Sequence, residues 1–188
     1  MSTNPKQPIR DQLLQARRTI DPARRSRSHQ QIRKRLHDIG RLSNAGVVFC
    51  FVSMADEVDT HELITELQAQ GKQIVVPGIS ADRRMAAYPL NALSELREGQ
   101  LGILTPDMHT PWQGQVDISL TPGLGFSPAG RRLGFGRGYY DSWFAGHPDV
   151  YRVGLAYSCQ ILDEIPVDDH DVPMHMVVTE EESYECTA

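Results

Sequence analysis

The sequence has 188 residues, of which 40% are hydrophobic and 23% charged, and these values argue against disorder, a fibre or a disulfide scaffold. Its three cysteines, Cys50, Cys159 and Cys186, lack the spacing of a zinc knuckle or a CxxC pair, so we expect a reduced, cytoplasmic protein. The first 12 residues lack the apolar stretch of a signal peptide, and no run approaches the roughly 20 apolar residues of a membrane helix.

The net charge of −5 conceals an uneven distribution along the chain. Residues 1–42 contain 11 Lys and Arg against three Asp, a net of +8, whereas the remainder carries 8 basic and 21 acidic residues. This basic region either binds an anionic ligand or docks onto the acidic body of the protein. It contains no Tyr, Phe or Trp to stack on bases, so the sequence does not favour nucleic acid as a partner.

The N-terminal region is predicted to form two helices. Apolar residues from Ile9 to Ile20 recur with helical spacing. Asp21 and Pro22 then have the character of an N-cap and a first helical position. We expect the second helix to end at Gly40.

A strand, a helix and a second strand follow in order. Residues 47–52 form a continuous apolar run, typical of a strand that is buried on both faces. Asp59 or Thr60 can cap the next helix, and Gly71 can close it. Residues 73–76 form the second strand, so the order predicts a parallel sheet.

The second half contains further predicted strands, at residues 85–90, 117–121, 150–156 and 176–179. Residues 99–115 are predicted to be a loop, and the acidic tail from residue 180 is predicted to fray. The fold class expected from these elements is a three-layer α/β domain, in which ligands bind beyond the carboxyl ends of the strands.

Residues 122–141, PGLGFSPAGRRLGFGRGYYD, form the most unusual segment, with six glycines in 20 residues. Glycine at this density suits a loop whose backbone N–H groups surround a phosphate before a helix that begins near residue 139. Arg132 and Arg137 could neutralise the phosphate, and Asp141 could hold a bridging Mg²⁺. The alternative is a surface loop that needs several positive φ angles.

Acidic residues cluster in two other places. Asp56, Glu57 and Asp59 follow the first strand, where a carboxylate can face a ligand. Glu57 could bind a donor-rich heterocycle. Asp59 is better explained as the cap of the following helix. Residues 166–171, PVDDHD, could supply a second metal ligand, or they could form a solvated turn that includes His170.

Basic residues near the N-terminus form the fourth group. Lys6 and Arg10 share one side of a helix, and Arg17 lies seven residues beyond Arg10 on the same face. This alignment suits a polyphosphate, although an exposed basic face would produce the same pattern.

Together, and in this order, the four groups resemble the 5-formyltetrahydrofolate cyclo-ligase family, also called 5,10-methenyltetrahydrofolate synthetase. The family pattern KxxLR…R matches Lys6, Arg10 and Arg17, with Ile9 in place of Leu. Its other patterns match residues 53–60 and 122–141, and a late pattern matches Ala156, Tyr157, Gln160, Pro166, Asp171 and Thr179. The resemblance spans almost the whole chain.

The resemblance implies a single domain over residues 1–188, with residues 1–42 as basic helices packed on an α/β/α sandwich with a mainly parallel sheet, like that of the sugar-isomerase and CoA-transferase group. It implies an ATP- and Mg²⁺-dependent enzyme, and a monomer that acts on small molecules. The formyl oxygen of 5-formyltetrahydrofolate would accept the γ-phosphoryl group of ATP. Attack by N10 would then give 5,10-methenyltetrahydrofolate, ADP and phosphate. The substrate could carry a polyglutamate tail.

The resemblance also implies roles for individual residues. The expected ATP contacts are Lys6, Arg10, Arg132, Leu133, Gly134, Phe135, Gly136, Arg137, Gly138, Tyr139 and Tyr140. The expected folate contacts are Val52, Glu57, Phe135, Gly136, Arg137, Gly138 and Tyr139. Asp141 and Asp171 are the expected Mg²⁺ ligands, and Arg137 is the candidate catalytic residue.

Two other functions are compatible with parts of the sequence. One is an ATP-dependent ligase of different substrate specificity. The other is a non-catalytic protein that stores folate or binds RNA through the basic N-terminal region.

Overall fold

The computed structural model describes residues 5–99 and 104–186. The helices are α1 (Gln7–Arg18), α2 (Pro22–His37), α3 (Gly40–Asn44), α4 (His61–Ala69) and α5 (Tyr139–Ala145). The strands are β1 (Val47–Cys50), β2 (Gln73–Ile79), β3 (Met85–Leu90), β4 (Arg97–Glu98), β5 (Leu104–Thr105), β6 (Ile118–Thr121), β7 (Gly125–Phe126), β8 (Arg132–Leu133), β9 (Tyr151–Leu155), β10 (Met176–Val178) and β11 (Ser183–Glu185). Short 3₁₀ turns lie at Leu93–Glu95 and Ser158–Gln160.

A seven-stranded sheet forms the centre of the molecule, in the order β11-β10-β9-β6-β1-β2-β3. The five strands from β10 to β2 are parallel to one another, and the edge strands β3 and β11 are antiparallel to their neighbours. The predicted strand–helix–strand unit is therefore confirmed as β1, α4 and β2. Two small hairpins, β4-β5 and β7-β8, lie outside this sheet.

Both faces of the sheet are covered, because alternate strand residues belong to different hydrophobic clusters. Val48 and Cys50 of β1 pack in the cluster that contains residues of α2, α3 and α4, whereas Phe49 packs with Trp143 and Phe144 of α5. This alternation follows from the two-residue period of a strand. The predicted three-layer arrangement with a mainly parallel sheet is confirmed.

The N-terminal helices pack on this body by different means. Ile32 and Leu36 of α2 are fully buried in the larger cluster. In α1, Leu13 joins Leu133 and Ile165 in a separate small cluster beside the glycine-rich segment. The small cluster therefore attaches α1 to the body of the protein beside the glycine-rich segment.

Of the predicted boundaries of the second helix, its start is confirmed and its end is wrong. Asp21 caps α2, since its side chain accepts a hydrogen bond from the Arg24 amide at 2.9 Å. Gly40 does not end that helix: α2 ends at His37, and Gly40 begins α3, whose N-cap is Ile39. The amides of Leu42 and Ser43 bond the Ile39 carbonyl, so the chain turns directly into another helix.

The acidic tail is not frayed over residues 183–185. Strand β11 pairs with β10 along the sheet edge, and three backbone positions are in register. Alternating side chains on a short strand give a weak signal, so the neighbouring strand decides this structure. Within the predicted loop of residues 99–115, residues 104–105 form β5, and residues 100–103 lie outside the described part of the chain. Among the described helices, none is long and apolar enough to cross a membrane.

Candidate active site

Three of the four motif groups lie in loops at one edge of the sheet. They follow β1, β6 and β9, which are parallel neighbours. The carboxyl ends of parallel strands point to the same edge, which is where open α/β sheets bind ligands. The sheet thus brings residues 53–60, 122–141 and 156–171 together, although they are far apart in sequence.

Helix α1 joins the fourth group to these loops. Lys6, Arg10 and Arg17 are buried on one face of the helix, and each contacts a different loop. At a rise of 1.5 Å per residue, Lys6 and Arg17 are about 16 Å apart along the axis. The face therefore extends across the whole candidate site.

Lys6 lies at the start of α1, as its N-cap residue, and contacts the acidic turn. Its Nζ donates to Oδ2 of Asp168 at 2.7 Å and to Oδ2 of Asp171 at 2.9 Å. Burial opposes the charged form of Lys6, but these two hydrogen bonds and charges raise its pKa above the usual value. The pKa of Asp171 is lowered despite its own partial burial, because Lys6 and the Asp168 amide bond its carboxylate. The turn therefore carries a carboxylate that stays ionised beside a cation.

Arg10 contacts the glycine-rich loop itself. Its Nε donates to the carbonyl of Gly134 at 2.9 Å. Gly136 has φ +87°, and a Cβ atom there would lie 3.1 Å from Nη2 of Arg10. Gly138, at φ +66°, precedes α5 as its N-cap residue. Only residues without a Cβ adopt this backbone readily and let the guanidinium approach so closely.

The side chains of the loop separate into two sets. Phe135 is 54% exposed and Arg137 is exposed, so both can contact a ligand that lies on the loop. Leu133 is buried in the cluster with Leu13, which leaves only its backbone for a ligand. Tyr139 is half-buried, and Tyr140 packs inward against Phe49 and Phe144 at ring-centroid distances of 6.1 and 6.0 Å.

Arg132 and Asp141 form a second ion pair next to the acidic turn. Nη2 of Arg132 donates to Oδ2 of Asp141 at 2.9 Å, and both side chains are largely buried. The other carboxylate oxygen of Asp141 accepts a bond from the amide of Val172 at 3.2 Å. Nε of Arg132 is buried and has no hydrogen-bond acceptor in the described part of the chain. Such an atom is costly unless a ligand or water satisfies it.

The donor set at this place suits a hard divalent cation. Asp141 accepts a bond from the amide of Val172, the residue that follows Asp171, so it lies at the end of the acidic turn. Oxygens of Asp168 and Asp171 and a ring nitrogen of His170 lie within 4.8 Å of one another. Mg²⁺ prefers one or two carboxylates together with phosphate oxygens. The residues present therefore fit Mg²⁺, provided that it competes with Lys6 and Arg132 for the carboxylates.

Glu57 is the most buried carboxylate of the candidate site, with 7% of its surface exposed. One oxygen accepts a bond from the Met54 amide at 3.0 Å, and the other lies 3.5 Å from Nη1 of Arg17. Burial raises the pKa of Glu57, while the Met54 amide and Arg17 act in the opposite direction. Val52 is half-buried two residues after β1, on the same loop.

Asp59 takes the structural role that the sequence favours. Its side chain accepts bonds from the amides of His61 and Glu62 at 3.3 and 3.4 Å, at the start of α4. Thr60 is fully buried, and its hydroxyl donates to the carbonyl of Phe51 at 2.7 Å. These two residues shape the loop that carries Glu57.

Two residues of the late motif hold the site loops, a role that the sequence did not reveal. The Tyr157 hydroxyl donates to the backbone carbonyl of Glu57 at 2.7 Å. The side chain of Gln160 donates to the carbonyls of Gly123 and Leu124, both at 2.9 Å. The matched pattern A-Y-x-x-Q was the available signal, but only the fold shows which loops it supports.

A cleft with a volume of about 560 Å³ lies at the opposite end of the strands. Arg41, Asp117, His147 and Asp149 are among its lining residues. None of the four motif groups contributes to it, and ligands of parallel sheets favour the other edge. We therefore place the candidate active site under α1.

Comparison with known proteins shows the family to which the chain belongs. The model of the 5-formyltetrahydrofolate cyclo-ligase family matches residues 2–180. A 5-formyltetrahydrofolate cyclo-ligase of Mus musculus is 30% identical over 94% of each chain, and one of Escherichia coli K12 is 31% identical over 92% of this chain and 99% of its own. The NMR structure of 5,10-methenyltetrahydrofolate synthetase from Aquifex aeolicus has a TM-score of 0.85 at 27% identity, covering 97% of this chain and 93% of that one. The chain therefore belongs to the 5-formyltetrahydrofolate cyclo-ligase family, a family of enzymes, as its motifs predicted.

Proposed function

We propose that this protein converts 5-formyltetrahydrofolate to 5,10-methenyltetrahydrofolate, with ATP as co-substrate and ADP and phosphate as products. The observation that carries the proposal is the arrangement along α1: Lys6, Arg10 and Arg17 each contact a different motif loop of the family. Family membership and the printed names of the relatives support the same reaction.

The first step transfers a phosphoryl group. The formyl oxygen of the folate attacks the γ-phosphorus of ATP, the bond to the bridging oxygen of ADP breaks, and an iminium phosphate forms. Arg10 contacts the loop at Gly134, Arg132 pairs with Asp141 just beyond it, and Lys6 contacts the acidic turn, so we assign these three cations to the phosphates. The exposed Arg137 is assigned to the transferred group, whose charge must be stabilised during transfer.

The second step closes the ring. N10 of the folate adds to the former formyl carbon, phosphate leaves with its oxygen, and the proton of N10 passes to the departing phosphate. The protein contributes mainly by holding N10 near the carbon, since orientation alone lowers such barriers strongly. The exposed Phe135 and the half-buried Tyr139 are suited to cover the reacting atoms on this side.

The folate is assigned to the loop after β1. Glu57 offers a buried carboxylate to the amino and ring N–H groups of the pterin, and Val52 offers an apolar contact. A charged acceptor buried away from water discriminates strongly for a ligand that supplies donors. Residues 135–139 are assigned to the opposite side of the same ligand.

Mg²⁺ held by Asp141 and Asp171 would neutralise the charge of the phosphates when bound. The two carboxylates pair with Lys6 and Arg132 in the structure. If Mg²⁺ binds the two carboxylates, Lys6 and Arg132 become available to the phosphates. We therefore expect nucleotide and metal to bind together more tightly than either binds alone.

The reaction is tested by near-UV absorbance of methenyltetrahydrofolate. Purified protein is mixed with 5-formyltetrahydrofolate and Mg²⁺, with and without ATP. An ATP-dependent rise that is lost in Glu57→Gln supports the proposal. If folded protein binds ATP but the absorbance does not rise, the folate assignment is wrong, and ADP release with other formylated substrates would then identify a ligase of different specificity.

A further inference from the structure

We propose that Arg17 is a positioning residue for the folate, because it holds the carboxylate of Glu57 in place and in its ionised form. This inference rests on the proposed function, in which Glu57 binds the pterin. It differs from the polyphosphate contact that the charge pattern suggested for Arg17, and the family resemblance gives this residue no role.

The first observation is the burial of Arg17. Only 2% of its surface is exposed, less than that of Lys6 or Arg10 on the same helix. A buried guanidinium is costly unless its donors are satisfied and its charge is balanced. Both conditions are met inside the loop after β1, by Asp56 and Glu57.

The geometry of these contacts fixes two adjacent carboxylates. Nε and Nη2 of Arg17 donate to Oδ2 of Asp56 at 3.2 and 3.0 Å, and Nη1 lies 3.5 Å from Oε1 of Glu57. Since Oε2 of Glu57 accepts the Met54 amide, each oxygen of Glu57 has a donor. The planar fork of arginine can hold both acids at once, which the point charge of lysine cannot.

Arg17 is itself held in position from the neighbouring helix. Nη2 of Arg25 donates to the backbone carbonyl of Arg17 at 3.0 Å, and the Arg25 guanidinium lies 5.6 Å from the ring centre of Tyr157. The same tyrosine donates to the backbone carbonyl of Glu57. Backbone and side chain of Glu57 are therefore fixed by different elements.

The electrostatic consequence concerns the ionised form of Glu57. Burial and the neighbouring Asp56 raise the pKa of Glu57, and Arg17 is the cation that opposes them. Loss of Arg17 should raise this pKa further, so that a larger fraction of Glu57 is protonated at neutral pH. A protonated carboxyl offers the pterin N–H groups a weaker acceptor.

Other titratable groups around Glu57 do not change charge between pH 7 and 9. Burial lowers the pKa of His29 below its usual 6.5, so this residue is neutral in that range. Burial raises the pKa of Tyr140 and that of Tyr157, the latter to about 12, so both phenols keep their protons. Asp56 is the other carboxylate that contacts Arg17. Among Glu57, His29, Tyr140 and Tyr157, Glu57 is the group expected to titrate in a variant without Arg17.

The test measures equilibrium binding of 5-formyltetrahydrofolate to Arg17→Gln from pH 7 to 9, without ATP. At pH 7 we expect Kd to rise about 10- to 100-fold, the range for loss of a hydrogen bond to a charged group. Affinity should recover as the pH rises and Glu57 ionises. Glu57→Gln should bind weakly at every pH, and the double variant should bind no more weakly than Glu57→Gln alone.

Matched variants separate positioning from general damage. Arg27→Gln removes the same charge from an exposed site on α2 and should leave folate binding unchanged. Arg17→Lys, which keeps the charge, covers the case in which Arg17→Gln does not fold; it should bind folate at least threefold more weakly and keep the Kd for ATP.

The inference is overturned if the affinity loss in Arg17→Gln does not depend on pH, adds to that of Glu57→Gln, or is matched by an equal loss of ATP binding. Unchanged folate binding in folded Arg17→Lys would overturn it as well. A different result marks failure of the proposed function: Glu57→Gln would then bind folate like the wild type, or the wild type would show no turnover.

Discussion

Helices α1 and α2 both carry a surplus of Lys and Arg, but the side chains that face the body are buried in α1 and more exposed in α2. Lys6, Arg10 and Arg17 each contact a motif loop. In α2, by contrast, Arg24 lies 3.7 and 3.8 Å from Glu180 and Glu181, and half of its side chain is exposed. With similar composition, the basic residues of one helix therefore contact the motif loops, and those of the other contact the acidic body.

The difference follows from the position of each helix relative to the sheet. α2 covers one face and buries Ile32 and Leu36, so its basic residues point outward or sideways. α1 crosses the carboxyl edge and buries only Leu13 among its apolar residues. The basic residues of α1 therefore take the buried positions that apolar residues occupy in α2.

The largest effect is expected from replacing Asp141, one of the carboxylates opposite α1. Asp141→Asn keeps an acceptor for Arg132 and Val172 but removes the charge that Mg²⁺ needs. Turnover should fall by at least about 100-fold, as when an enzyme loses a main electrostatic contact. Folate Kd should stay unchanged. The absorbance assay measures turnover, and a folate titration measures the Kd. Asp149→Asn, which changes an exposed acid, is the control. Normal turnover in Asp141→Asn would show that the metal assignment is wrong.

The attachment of α1 can be broken at its apolar contact. Leu13 is 2% exposed, and Leu13→Ala should lower the free energy of unfolding by about 2–5 kcal/mol, the cost of a buried Leu. The KM for ATP should rise too, because the helix no longer holds Arg10 against Gly134. Urea unfolding measures the stability. Leu14→Ala on the half-buried side of α1 is the matched control, and equal losses in the two variants would contradict the proposed attachment.

Replacing one lysine at α1 and one in α2 compares the contributions of the two helices to ATP binding. Lys6→Met should raise the KM for ATP about 10- to 100-fold, since a charged contact to phosphate is lost, while folate Kd stays the same. Lys34→Met, at an exposed position of α2, should leave both values unchanged. Steady-state kinetics with ATP as the varied substrate measures the KM of each variant. Equal KM values in the two variants would show that α1 and α2 do not differ in their contribution to ATP binding.

The smallest effect is expected for the ion pairs of α2. Arg24→Gln should lower the free energy of unfolding by less than about 1 kcal/mol, because exposed ion pairs contribute little. Added salt should reduce even that difference, since it screens exposed charges. Unfolding at low and high salt measures it. A loss of ATP or folate affinity in this variant would show that α2 also contributes to the site.

The sequence by itself determined the succession of one strand, one helix and a second strand. An apolar run, a capped helix and a second apolar run predicted β1, α4 and β2, because hydrophobic period and capping act locally. It also identified the glycine-rich loop, whose positive φ angles at Gly136 and Gly138 only glycine adopts readily. The pairing of β11 and the start of α3 at Gly40 were missed, since both depend on backbone hydrogen bonds that composition does not show.

The roles of individual charges were decided by tertiary structure alone. Lys6, Arg17 and Arg24 look alike in the sequence, but one meets Asp171, one meets Glu57 and one remains half exposed. Tyr157 and Gln160 hold loops that lie more than 30 residues away. The physical reason is that the strength of a charge or hydrogen bond depends on burial and partner distance, and these are set only when α1 packs across the carboxyl edge of the sheet.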